Sequence, residues 1–347
     1  MKYLLAILIF GIIVMVHEFG HFFTAKLFDI KVNKFAVGMG PSIFKRQKGE
    51  TEYSVRLFPI GGFCAMEGED AESDSDRAFG KKPVWQRMIV IVAGAFMNFV
   101  LGFIVLIIIT CNMDKIPQMS VNSFKTIDAP TEVAEFYEHK SGLKSGDEIE
   151  EINGVSIITH MDLNYALTLG SGSHDFVVER DGREIEINDV SFTDTQSGER
   201  MLMRINSEEK NPLNVVTYSA KTMVSTVKLV WNSLIGLITG QYGMNEMSGP
   251  VGVVKEMGNA ADAGETVGDS VLNLLSLTSL ITINLGVFNL LPVPALDGGR
   301  FFFLLVEAIR RKPIKPEHEG MVHMIGMLLL FGLIIVVTFN DIMKLFA

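Results

Sequence analysis

The chain has 347 residues, 48% of them hydrophobic, with a formal net charge of −10 and a mean hydropathy of +0.31. That apolar content excludes an ordinary soluble enzyme and points to a polytopic membrane protein with a soluble insert. The acidic balance argues against nucleic acid as a partner, and it is local: residues 114–214 carry 20 acids against 9 bases.

The first apolar run, Tyr3–Ala25, is preceded only by Lys2 and followed by no A-x-A site, so it reads as a retained membrane helix rather than a signal peptide. Within it lies VMVHEFGHFF, residues 14–23. His17 and His21 are four apart, so on a helix they stack on one face, a spacing that suits two imidazoles on one Zn2+. Glu18 lies about 100° round the helix from His17 and about 60° from His21. It is better placed for metal-bound water than for the metal, where a general base belongs. Ionisable groups in a membrane segment are costly and mark function.

Residues 30–68 hold two β-prone stretches, KVNKFAVGMGPSIF and TEYSVRLFPIGGF, joined by the turn-like RQKGE. Gly38, Gly40, Gly61 and Gly62 allow close backbone approach. A β-hairpin or sheet dipping into the membrane under cover of protein fits these residues, and so does a small cytosolic hairpin. A second span follows at Val84–Cys111. Cys64 and Cys111 lie in different segments and suggest no disulfide framework.

The acidic insert contains HKSGLKSGDEIEEINGVSI, a short helical pattern at Met161–Leu169 and a strand pair around Asp181-Gly182. These predict a small mixed β/α module. Val215–Thr239 is interrupted by Lys221 and Lys228, and predicts an amphipathic helix at the outer membrane interface rather than a fifth span. Two further spans lie at about Val271–Leu291 and Met321–Phe346. Residues 26–83 hold ten Lys/Arg and the 300–316 loop holds five, so both face the cytosol, with the N-terminus and the 113–270 piece outside.

A catalytic zinc needs a third protein ligand and a fourth position open to water. His139, His160 and His174 fall in the outer insert, whereas His17, roughly 24 Å along its helix, is near the cytosolic end. His318 and His323 share the cytosolic side, but His318 sits in the basic loop EHEGMVH, where a solvated histidine is expected. In NLLPVPALDGGR, Pro292 and Pro294 stop the third helix and Asp297 follows at the cytosolic edge. Asp297 is therefore the favoured third ligand; an N-cap of a helix starting near Arg300 is its alternative role.

Together these residues resemble the site-2 protease family of intramembrane zinc metalloproteases, in the bacterial RseP/RasP branch with a single PDZ domain. HEFGH (17–21) matches the family's HExxH, and LDGG (296–299) its second motif. NLLPVPALDGG resembles N-x-x-P-x-P-x-L-D-G at Asn289, Pro292, Pro294, Leu296, Asp297 and Gly298. SGLKSGDEIEEINGVSI (141–157) resembles part of a PDZ domain, and SGPVGV (248–253) also looks like a family motif. One motif departs: the second-span G-P-x-x-N reads GAFMN, with Ala95 in place of Pro and Asn98 retained.

The resemblance implies a polytopic α-helical membrane protein with four transmembrane helices, a membrane-associated β-hairpin or sheet and an inserted extracytoplasmic PDZ-like α+β domain. Residues 1–112 would form the first half of the protease core, 113–200 the PDZ-like domain, 201–270 a linker with an amphipathic helix, and 271–347 the second half. His17, His21 and Asp297 would bind Zn2+, Glu18 would be the catalytic base, and Asn289, Gly61 and Gly62 would bind substrate. The implied partners are the lipid bilayer and single-span membrane proteins, either anti-sigma factors already trimmed outside or signal-peptide remnants. The implied location is the bacterial cytoplasmic membrane, with the active site towards the cytoplasmic side. Two rival classes fit the residues less well. A metal carrier needs ligands along a path and leaves Glu18 without a duty. A PDZ scaffold with a structural zinc needs a fourth protein ligand.

Overall fold

The computed structural model describes residues 2–69, 73–126, 141–169, 172–192, 201–241, 243, 248–312, 314 and 316–346. The elements in chain order are α1 (Lys2–Leu27), β1 (Val32–Lys48), β2 (Thr51–Met66), α2 (Val84–Asn112), β3 (Ile116–Thr126), β4 (Glu148–Ile152), β5 (Val155–Ser156), α3 (His160–Thr168), β6 (His174–Arg180), β7 (Arg183–Val190), β8 (Met201–Glu208), α4 (Pro212–Ile238), α5 (Pro250–Asp262), α6 (Val267–Leu290), α7 (Asp297–Arg310) and α8 (Pro316–Phe346). They fall into two units, Met1–Val105 with Ser233–Ala347, and Leu106–Asn232.

In the first unit, α1, α2, α6 and α8 are, among the described residues, the helices long and apolar enough to cross a membrane. Burial of apolar side chains alone does not drive their association in lipid, so close backbone contact through small residues has to contribute. A Cβ on Gly20 would sit 2.3 Å from the Ala93 carbonyl oxygen, which sets α1 against α2. A Cβ on Gly102 would sit 2.6 Å from the Ile283 side chain, which sets α2 against α6. The Thr282 hydroxyl donates to the Asn98 carbonyl at 3.2 Å across the same crossing.

Helix α5 lies in the 201–270 segment, where the sequence suggested a linker. Pro250 occupies its first turn, where a missing N–H is tolerated. Its Met257 packs in a cluster with Ala6 of α1 and Leu274 of α6. The SGPVGV stretch ends there for a specific reason. Asp341 of α8, a buried carboxylate, accepts from the Gly249 and Gly252 N–H groups at 2.9 and 2.8 Å. It thereby caps the positive end of α5.

Strands β1 and β2 each bend back on themselves. Residues 34–37 pair with 52–55 on one side and with 62–65 on the other, while 52–55 also pair with 44–47. The resulting order leaves 62–65 as an edge, paired on one side only among the described residues.

In the second unit the sheet order is β7-β6-β4-β3-β8, all antiparallel, with β5 paired to β4. β8 also falls in the segment read as linker, yet it extends this sheet. The core is Val121, Leu143, Ile149, Ile152, Phe176 and Val178. Asn153-Gly154 and Asp181-Gly182 both take positive φ, as tight hairpin turns of this type require. Asp147 is buried and takes a bidentate bond from Arg180, 2.6 and 2.8 Å.

Helix α4 presents its polar face inward. Ser219, Thr222, Ser225 and Thr226 are buried, whereas Leu213, Val216, Val224, Trp231 and Ile235 are exposed. Asp162 of α3 is fully buried and joins this face to the module. Its carboxylate accepts from the Thr159 N–H (3.0 Å), the Ile158 N–H (3.1 Å) and the Ser225 hydroxyl (2.5 Å), and pairs with Lys228 at 3.2 Å. Removing one member of such a group strands the others. Asp162→Ala is therefore expected to cost about 3 kcal/mol, read as a lower thermal midpoint of the detergent-solubilised protein. Asp162→Asn, which keeps the helix cap, should recover part of it.

Candidate metal centre

One turn of α1 carries His17, Glu18 and His21, and the two imidazoles are almost completely buried. The space they occupy is provided by α2. A Cβ on Gly94 would lie 2.3 Å from His21 Nε2 and 2.8 Å from His17 Cε1, so the rings lie flush on a helix surface that has no side chain there. His21 Nδ1 donates to the Val90 carbonyl at 2.8 Å, which leaves the lone pair on Nε2.

Asp297 arrives from the start of α7. Gly298 explains how: a Cβ there would sit 2.1 Å from the Leu291 carbonyl oxygen, so only glycine lets the first turn of α7 lie on the 291–294 loop. Ala295 takes φ +79°, a costly conformation for alanine. His323 of α8 holds this turn by accepting the Ala295 N–H at 3.0 Å. His318 and His323 are thus not part of the cluster, and His160 and His174 bond to Tyr218 and Asn153. His139 lies outside the described residues.

Asp297 Oδ2 is 3.1 Å from His17 Nε2 and 3.3 Å from His21 Nε2, and the two Nε2 atoms are 3.3 Å apart. Bonds of about 2.0 Å in a tetrahedral arrangement place ligand atoms ~3.3 Å apart. The three atoms are thus spaced as one face of a zinc tetrahedron would be, and Asp297 Oδ2 is buried without a hydrogen-bond partner. Asp297→Ala should therefore lower zinc affinity by more than about 100-fold, beyond what outer-shell changes cause, as read by metal analysis after gel filtration.

A cleft of about 370 Å³ opens on this triangle, lined by Glu18, Phe63, Cys64, Met66, Glu69 and Arg300 besides the three ligand candidates. Its β-lined wall is the one-sided edge of the sheet. Gly62 is tight against it: a Cβ there would meet Ala36 O at 2.9 Å and Glu18 Cγ at 3.1 Å. Gly61, at φ +82°, packs against Met39 instead. Burial pushes the Cys64 thiol up, so it stays a neutral wall residue. Asn289 Nδ2 lies 3.5 Å from His17 Nδ1. Glu69 and Arg300 form an ion pair at the rim, shared with a second cavity of about 1060 Å³ reaching Arg87, Glu307 and His323.

The sequence profile of Peptidase family M50 matches residues 5–333. The chain belongs to that family. It is 31% identical over 431 aligned positions to the regulator of sigma-W protease RasP of Bacillus subtilis, covering 98% of each chain. It is also 31% identical to the zinc metalloprotease RasP of Bacillus licheniformis, over 425 positions and 98% of each chain. A zinc metalloprotease RasP of Shouchella clausii is 30% identical with the same coverage. The chain is accordingly a membrane zinc metalloprotease of the site-2 type, and its cofactor is Zn2+.

Proposed function

We propose that the chain cleaves single-span membrane proteins within or near their membrane segment, using His17, His21 and Asp297 as zinc ligands and Glu18 as general base. The observation that carries this reading is the convergence of three ligand atoms within 4.8 Å of one another, in a cleft that Glu18 shares with a one-sided strand edge. Zinc, when bound, supplies Lewis acidity towards a carbonyl and acidifies water.

The remaining work falls to the chain. A helical substrate hides its peptide groups in internal hydrogen bonds and must first unwind. The 62–65 edge then offers N–H and C=O groups to the extended strand by β-addition, with Gly62 keeping the approach to Glu18 clear. Asn289, beside His17, holds the extended substrate. Glu18 takes a proton from the attacking water and returns it to the leaving amine. The larger cavity beyond the Glu69–Arg300 pair gives water a polar approach.

The 113–200 module, with its Gly-rich SGLKSGD turn, acts as a PDZ-like screen on the outer side of a bacterial cytoplasmic membrane, and the metal centre faces the cytoplasmic side. The outward apolar face of α4 rests in the lipid interface. By likeness to a regulator of sigma-W, the substrate class is anti-sigma factors trimmed outside, with signal-peptide remnants as the second class because they too are single spans with little outside.

The test is cleavage of tagged single-span substrates by purified protein in detergent. Cleavage that stops on zinc removal and returns on zinc addition supports the reading; no cleavage of any trimmed or untrimmed substrate by zinc-loaded protein overturns it. Deleting residues 115–195 should admit untrimmed substrates while leaving trimmed ones cut. If trimmed substrates are also spared, the screen is wrong.

A further inference from the structure

The GAFMN stretch of α2 has one end explained by the metal centre: Gly94 clears the imidazoles. Asn98, one turn further on the same face, is fully buried, and its side-chain Nδ2, as the amide is placed, lies 3.2 Å from His17 Nδ1, with Oδ1 turned away and unpartnered. We infer that Asn98 positions His17 by accepting the proton of its Nδ1–H through Oδ1, which presents Nε2 to the metal. This deepens the proposed function and rests on its assignment of His17 as a zinc ligand.

The reasoning is one of proton positions. A neutral imidazole has one N–H and one lone pair, and the bond made by one nitrogen decides the other. His17 Nε2 faces Asp297 Oδ2 and His21 Nε2, so a ligand role needs the lone pair there and the proton on Nδ1. The partner of Nδ1 must then be an acceptor. Two asparagine amides reach that nitrogen, Asn98 at 3.2 Å and Asn289 at 3.5 Å. One N–H satisfies one of them. Asn98 is the shorter and the fully buried one, and its Oδ1 is a buried acceptor without a hydrogen-bond partner. A half-turn of the amide brings that oxygen to Nδ1. The backbone of Asn98 is held in turn by the Thr282 hydroxyl on its carbonyl. His21 achieves the same tautomer with the Val90 carbonyl at 2.8 Å. The two histidines are thus oriented by α2 from two points about two turns apart, and Asn289 is left to serve the substrate.

Outer-shell partners of ligating histidines change metal affinity by about 10–100-fold when lost. The experiment is zinc transfer from the full-length protein to a chromogenic chelator, with the visible spectrum of the Co2+-loaded protein recorded beside it. Asn98→Leu and Asn98→Ala, which remove the acceptor, should lose zinc about 10–100-fold more readily and alter the Co2+ bands. Asn98→Asp keeps an acceptor and should stay near wild type in both, even if its thermal midpoint drops. Wild-type retention by the Leu and Ala variants overturns the inference. So does equal zinc loss by the Asp variant, which would reveal a packing role instead. Wild-type protein that holds no zinc would sink the metal-centre reading itself, and this inference with it.

Discussion

Glu18→Gln protein should bind zinc as the wild type does and cut nothing. The carboxylate is not one of the three converging ligand atoms, so its loss leaves the tetrahedral face untouched. Glutamine matches its shape, so it fits beside Gly62, where an added Cβ would lie 3.1 Å from Glu18 Cγ. What glutamine lacks is basicity. A positioned base contributes typically about 10²–10⁴-fold, so turnover of a trimmed single-span substrate should fall by at least about 10³-fold, with zinc content and thermal midpoint unchanged. Residual cutting within tenfold of wild type would remove Glu18 from the base role. Loss of zinc in this variant would instead make Glu18 part of the metal shell.

The reading from sequence reached furthest where a short-range rule governs. The four membrane-length apolar helices follow from composition and length alone. The shared face of His17 and His21 follows from helical periodicity. Asp297 was harder, since its approach to the histidines depends on the 291–294 loop and on Gly298, which no periodicity encodes. The β-prone character of 30–68 was visible, but its doubled-back pairing was not, because register depends on contacts between segments up to about 30 residues apart. Helix α5 and strand β8 were missed inside a stretch read as linker. Their signals, Pro250 at a helix start and the alternation of MLMRIN, are short, and their partners Asp341 and β3 lie about 90 and 80 residues away. The second-span motif shows the same limit. Ala95 replacing proline looked like the informative position, yet the residues that touch the histidines are Gly94 and Asn98.

Gly94→Ala tests that point most severely. One methyl group would have to share space with His21 Nε2 at 2.3 Å and His17 Cε1 at 2.8 Å, the two rings that form the metal face. The His21 ring cannot swing away without giving up its Nδ1–H bond to Val90. Nor can α1 back off easily, because Gly20 is seated equally tightly on Ala93 of α2. A shift of about 1 Å at either ring opens the ~3.3 Å triangle that zinc needs, and misplacement on that scale can cost about 10²-fold in rate. Gly94→Ala is therefore expected to lower zinc affinity at least tenfold and to abolish cleavage, while the helices still form. Gly102→Ala is the control, since its Cβ meets the movable side chain of Ile283 at 2.6 Å, away from the metal face. That variant should lose stability and keep its zinc. If Gly94→Ala retains zinc as well as Gly102→Ala does, α1 and α2 are not locked together at this crossing, and α2 does not set the positions of the histidines.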